Sequence, residues 1–203
     1  MKYCGEKVIN AMRQVASSKE LSPWEGNFIS SIQVAYEKWG SLTEGQRRIL
    51  QKLADKHSPD NLAKASVWKK NFSSDMHRDF TTMLAYYEAN PPYFQDVISQ
   101  IEDDSDYIPN RKLYHSMCEN KYAKRVLATA NTAPIYAIGS LVKVRDTSNI
   151  PSNLSGLRNK CAIVVEHFKT IVSAAKGARR VSILPLGQTE LILAEERWLK
   201  VAK

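Results

Sequence analysis

Apolar residues recur every three to four positions through the first two-thirds of the chain, then switch to every second position near Pro134. Val8, Ile9, Met12, Val15 and Ala16 predict an amphipathic helix that ends at Ser17-Ser18-Lys19. Ser22-Pro23-Trp24-Glu25 then reads as a helix start, with Ser22 as cap, Pro23 in the first turn and Glu25 closing a capping box. Trp24, Phe28, Ile32, Tyr36 and Trp39 fall on one face, which is expected to be core, and Gly40 is placed to stop the helix.

Thr43-Glu44-Gly45-Gln46 is a second capping box before Ile49, Leu50 and Leu53. Further helices are expected from Ser58-Pro59, from Ser74 and around Phe94 to Ile101, with a break at Asn90-Pro91-Pro92. After the acidic stretch 102–106, Pro109 opens a final helix that continues or kinks through Leu127. Phe28 precedes Leu42, and Phe94 precedes Ile108, by the same 14 residues. That spacing suggests two helix–hook–helix units at 22–56 and 92–127, although amphipathic helices also resemble one another by chance.

Residues 129–134 form a linker of small residues ending in proline. Beyond it, alternation predicts strands at 141–145, 161–166, 180–184, 191–194 and 198–201. A polar loop fills 146–156, a loop or hairpin tip spans 169–178, and Glu195-Glu196-Arg197 suits one 3₁₀ turn. The expected class is α+β: an all-α helical domain over 1–130, followed by a five-stranded β domain over 134–203.

Two resemblances follow from these residues. The run Trp24-Glu25-x-x-Phe28-Ile29-x-Ser31-Ile32 with Leu42-Thr43-x-x-Gln46 resembles a small helical module that recurs in phage-encoded proteins, several of which act on DNA. It implies a phage or mobile-element origin more than any activity, and no catalytic residue carries over from it. Five short strands with a long first loop and a late 3₁₀ turn resemble an SH3-like β-barrel, and Gly139-Ser140-Leu141-Val142-Lys143-Val144 is similar to the start of KOW-type barrels. That resemblance speaks to fold more than to function.

Composition narrows the picture further. The formal net charge is +8, and it is uneven: residues 134–203 hold 11 Lys/Arg against 5 Asp/Glu. DNA or RNA is the natural partner for such a surface, although mildly basic domains also occur without one. Three scattered cysteines argue against a disulfide framework or a structural zinc site. No apolar run approaches a membrane span, and Met1–Lys7 does not read as a signal peptide, so a cytoplasmic protein (in the host cytoplasm if phage-encoded) is expected.

Phosphate-binding glycine loops, dinucleotide fingerprints and nucleophile elbows are absent from the sequence, so no catalytic residue and no cofactor is assigned. His115 and Cys118 share a helix face but lack a third ligand, and Asp103-Asp104-x-Asp106 lacks the spacing of a calcium loop; no metal is expected. The candidate nucleic-acid contacts are Lys176, Arg179 and Arg180 at a loop-to-strand junction, joined in space by Arg158 and Lys160. A solvated hairpin tip is the competing reading of that cluster. A second function class is a protein-interaction adaptor that docks on a host or phage enzyme through Tyr86, Tyr93 and Phe94 around the double proline.

Overall fold

The computed structural model describes residues 5–18, 21–101 and 107–202. Cys4, Lys19 and the acidic stretch 102–106 lie outside the described residues. The chain divides into two compact units, Met1–Asn71 and Phe72–Lys203.

The first unit holds α1 (Gly5–Ala16), α2 (Pro23–Trp39), α3 (Glu44–Lys56) and α4 (Pro59–Asn71). Both capping boxes form as their residue types dictate. Ser22 Oγ accepts from Glu25 N and Glu25 accepts from Ser22 N, while Thr43 and Gln46 do the same for α3. Gly40 stops α2 with φ +66°, a left-handed geometry that favours glycine. The core joins Val15, Ile29, Ile32, Leu50 and Leu53 from α1, α2 and α3.

The α2 stripe expected to be core is buried only in part: Ile32 is fully buried, and Phe28 and Tyr36 pack partly against the core. Glu25, Ile29 and Ile32 point inward, whereas Trp24 and Trp39 are 59% and 70% exposed. Lys56 Nζ donates to the buried Glu25 at 2.7 Å. Trp24 stacks on Phe28 with ring centroids 5.4 Å apart, and Lys38 covers Trp39. No side chain of α4 is buried.

The second unit starts with α5 (Ser74–Glu88), α6 (Gln95–Ile101), α7 (Arg111–Cys118) and α8 (Lys121–Asn131). The expected final helix is two helices, because Asn120 caps α8 by accepting from Tyr122 N and Ala123 N at 2.9 Å. Helix α8 also runs to Asn131, so 129–131 of the expected linker is helical. Phe80, Met83, Met117 and Val126 pack α5, α7 and α8 together. The 14-residue spacing does not mark equivalent positions. Phe28 lies within α2, whereas Phe94 precedes α6 with φ +58°; Leu42 is buried and Ile108 is exposed.

A five-stranded antiparallel sheet follows: β1 (Leu141–Val144), β2 (Cys161–His167), β3 (Arg180–Pro185), β4 (Ile192–Glu195) and β5 (Leu199–Val201). The strands lie in the order β4-β3-β2-β1-β5, with β4 and β5 at the edges. A 3₁₀ turn at Glu196–Trp198 joins β4 to β5. Val142, Val144, Val164, Ile183 and Leu199 alternate inward. The polar loop contains a short helix, α9 (Ser152–Ser155), whose Leu154 is fully buried in that core.

Candidate functional site

The segment between β2 and β3 is not a free hairpin tip. Ile171 and Ala178 are buried, and the segment is fastened at two places. Asn90 Nδ2, at the end of α5, donates to Val172 O at 3.1 Å. Arg179 Nη2 donates to Thr129 O at 2.6 Å and also to Thr132 O. These carbonyls belong to the C-terminal end of α8, where backbone acceptors lack helical partners and a cation is favoured. Arg179 is only 9% exposed, so the cation expected to meet phosphate instead holds the helix to the sheet.

The other basic candidates separate into two places. Lys160 lies just before β2, whereas Arg180, the first residue of β3, pairs with Phe168, eight residues further on and just past the end of β2. At about 3.3 Å per residue that is roughly 25 Å, so Arg158 and Lys160 do not join Lys176 and Arg180. Arg158 is paired with Asp146 at 3.3 Å. Lys160 is exposed beside Lys143 and Lys200, which face each other across β1 and β5. Arg180 is half-buried, with its guanidinium over the Phe168 ring at 5.6 Å. Lys176 alone of the three at its end is exposed. Gly177 lets the chain pass Arg197 closely: its φ is +71°, and a Cβ there would meet Arg197 Cβ at 3.2 Å.

Lys176 lines a pocket of about 680 Å³ together with Arg125, Ala128, Thr129 and Ala174. Glu196 contributes the only carboxylate among its described lining residues, and that side chain is buried and accepts from Ile135 N at 2.7 Å. Along α8, three residues before Arg125, Tyr122 lines a second pocket of about 440 Å³. Its other walls are Tyr86, Pro91, Tyr93 and Phe94, with Tyr87 at its base. Three residues of α-helix rise roughly 4.5 Å, so a single turn of α8 contributes Tyr122 to one pocket and Arg125 to the other. The 172–176 segment also serves both, since Val172 binds Asn90 at the aromatic pocket and Ala174 begins the wall of the other.

The three aromatic residues expected at a partner surface are therefore brought together. Tyr93 is 66% exposed, while Tyr86 and Phe94 are half-buried. Phe94 leans on Tyr87 at 4.6 Å between centroids and holds φ +58°, a strained backbone for a bulky side chain. Gln95 Nε2 fixes that turn by donating to Tyr87 O at 3.0 Å and Tyr93 O at 3.2 Å. Asn120 Nδ2 donates to Tyr87 Oη at 2.9 Å. Burial raises the Tyr87 phenol above its ordinary value, so it stays neutral at physiological pH.

Sequence reasoning missed Tyr122, Lys121, Lys124 and Arg125 as a group. All four are exposed on α8, and Lys121 Nζ sits 5.3 Å from the Tyr122 ring centroid. The available signal was Lys121-Tyr122-x-Lys124-Arg125, in which three basic residues flank one aromatic residue on one helix.

Two other polar clusters are structural. His115 is exposed and pairs with Glu119 at 3.4 Å, while Cys118 is buried and its thiol is pushed up to about 12. Among the described residues no group of three or more His, Cys, Asp or Glu could hold a metal. In the first unit, Ser18 Oγ lies 2.8 Å from His57 Nδ1, and His57 Nε2 lies 3.5 Å from Glu25 Oε2. Glu25 already accepts from Lys56 and from Ser22 N, and the His57 ring is almost fully buried. This arrangement fastens the start of α2 to the end of α3.

No known protein family matches the chain, and no curated protein or solved structure is significantly similar to it. Among the described residues no helix is long and apolar enough to cross a membrane.

Proposed function

We propose that this chain is a non-enzymatic, nucleic-acid-associated accessory protein, phage-encoded and acting in the host cytoplasm. The observation that carries this reading is the exposed cationic face of α8. Lys121, Lys124 and Arg125 are all exposed on α8, and Arg125 lines one pocket together with Lys176 and its neighbours Ala174, Ala175 and Gly177. Lys and Arg side chains of this kind contact phosphates, release counterions and give salt-dependent affinity without sequence readout. Residues 107–203 carry 16 Lys/Arg against 6 Asp/Glu, which strengthens the attraction.

The contact surface is thus moved from the strand tips to the helix. The sheet is read as an SH3-like module that supports it. The order β4-β3-β2-β1-β5 and the 3₁₀ turn between β4 and β5 favour that reading. The resemblance of the α2–α3 sequence to a phage-encoded module favours the origin.

A fluorescence-anisotropy titration of the full chain with a labelled oligonucleotide tests the proposal. Affinity should fall with salt, and four phosphate contacts to a single strand would give a log–log slope of about −3. No binding at low salt would end the nucleic-acid reading. The competing adaptor reading would then gain from the solvent access of Tyr93 and Tyr122, which an aromatic peptide-binding surface also needs.

A further inference from the structure

We propose that the aromatic pocket at the start of α8 takes an unpaired nucleobase, so that the nucleic acid bound along this helix is single-stranded. The inference rests on the nucleic-acid reading above and adds the class of strand.

The shape of the site supports it. Tyr86, Tyr93, Phe94 and Tyr122 present four rings around a pocket of about 440 Å³, and Pro91 supplies a further apolar surface. No carboxylate lines this pocket among the described residues. Exposed aromatic faces beside a cationic track are what a single strand requires, since each base offers a π-face and each nucleotide a phosphate. In a duplex the base faces are already stacked, and reaching this pocket would require a base to be extruded. Tyr122 and Arg125 lie within one turn of α8, a backbone rise of roughly 4.5 Å, and both side chains are exposed, so a ring and a cation are offered on the same turn.

The polar groups of the pocket also say how the base is read. Asn120 is fully engaged: its Oδ1 caps α8, and its Nδ2 serves Tyr87 Oη and the carbonyls of Ser116 and Met117. Asn90 Nδ2 is held by Tyr86 O and Val172 O. These amides brace the walls instead of facing outward as donors. Apart from the phenol hydroxyls of Tyr86, Tyr93 and Tyr122, the pocket offers rings more than hydrogen bonds, so stacking should dominate and base identity should matter little.

The experiment compares three fluorescein-labelled probes with the full chain: oligo(dT), a mixed-sequence single strand of equal length, and a hairpin duplex of equal phosphate number. The expected result is similar affinity for both single strands and at least about tenfold weaker binding of the duplex. Tyr93→Ala and Tyr122→Ala should each weaken single-strand binding by about 5- to 150-fold, the range for loss of one base–aromatic stack. Both side chains are more than half exposed, so the fold should survive, and Tyr93→Phe and Tyr122→Phe should retain affinity because the ring remains. Equal affinity for duplex and single strand, with both alanine variants unchanged, would overturn the pocket assignment and leave the nucleic-acid reading standing. Binding of none of the three probes would remove both.

Discussion

The two ends of the β2–β3 hairpin are both basic in sequence, yet they use their charge differently. At the β2 start, Arg158 is neutralised by Asp146, and Lys160 stands in solvent beside Lys143 and Lys200. At the β3 start, Arg179 is buried on the carbonyls of α8, Arg180 lies over Phe168, and only Lys176 of the three is exposed. A cation buried against backbone acceptors contributes to folding, while a cation exposed beside aromatic rings is free to meet a ligand. What decides the role is the long-range partner, and local sequence does not name that partner.

The sharpest way to break this comparison is to remove the buried charge. Arg179→Ala leaves the Thr129 and Thr132 carbonyls without their donor, and loss of such a charged, part-buried bond should cost about 3 kcal/mol. Urea unfolding of the full chain measures this; a loss below about 0.5 kcal/mol would mean that Arg179 is not a fastener.

The same logic applies in the first unit, where Glu25 is the buried charge. Burial alone would raise its carboxyl, but the Lys56 ammonium and the Ser22 N–H and hydroxyl bring it from 4.5 down to about 2. A depressed carboxylate contributes stability that is present above the unfolded value and is lost as pH falls through the folded one. Glu25→Ala should therefore cost about 2 kcal/mol at pH 7, a figure kept low because Lys56 is largely exposed and screened. The difference from the parent should shrink between pH 4.5 and about 2. A difference that is constant across that range would contradict the assignment.

Binding effects should be smaller in energy and should sharpen the contrast. Replacing Lys121, Lys124, Arg125 and Lys176 with Ala should lower oligonucleotide affinity by about tenfold or more at low salt and flatten the salt slope. Unfolding midpoints should move little, because all four side chains are exposed. The smallest effect is expected at the other end of the hairpin: Arg158→Ala with Lys160→Ala should change affinity by less than about twofold. A larger loss from that pair would return the contact surface to the strand tips.

Local rules made much of the fold legible. Capping boxes at Ser22 and Thr43, the glycine stop at Gly40 and the alternation in the last third each act within a few residues, and the elements follow them closely. The aromatic stripe of α2 was legible only in part, because helical spacing identifies a face without saying how far burial extends along it: Ile32 is buried, while Trp24 and Trp39 at the two ends of the helix are exposed. Leu154 was hidden in a polar loop for a similar reason, since one residue carries no period. Tyr86, Tyr93 and Phe94 were legible as a group through their nearness to the double proline. Tyr122 was not, because it reaches the same pocket from another helix through the Asn120 cap.

The most direct test is chemical-shift mapping of the isotopically labelled full chain during titration with oligo(dT). The account predicts that the strongest perturbations fall on Tyr93, Tyr122, Arg125 and Lys176, with Arg158, Lys160 and Lys200 nearly unmoved. Perturbations centred on Lys143, Lys160 and Lys200, with α8 unchanged, would contradict it.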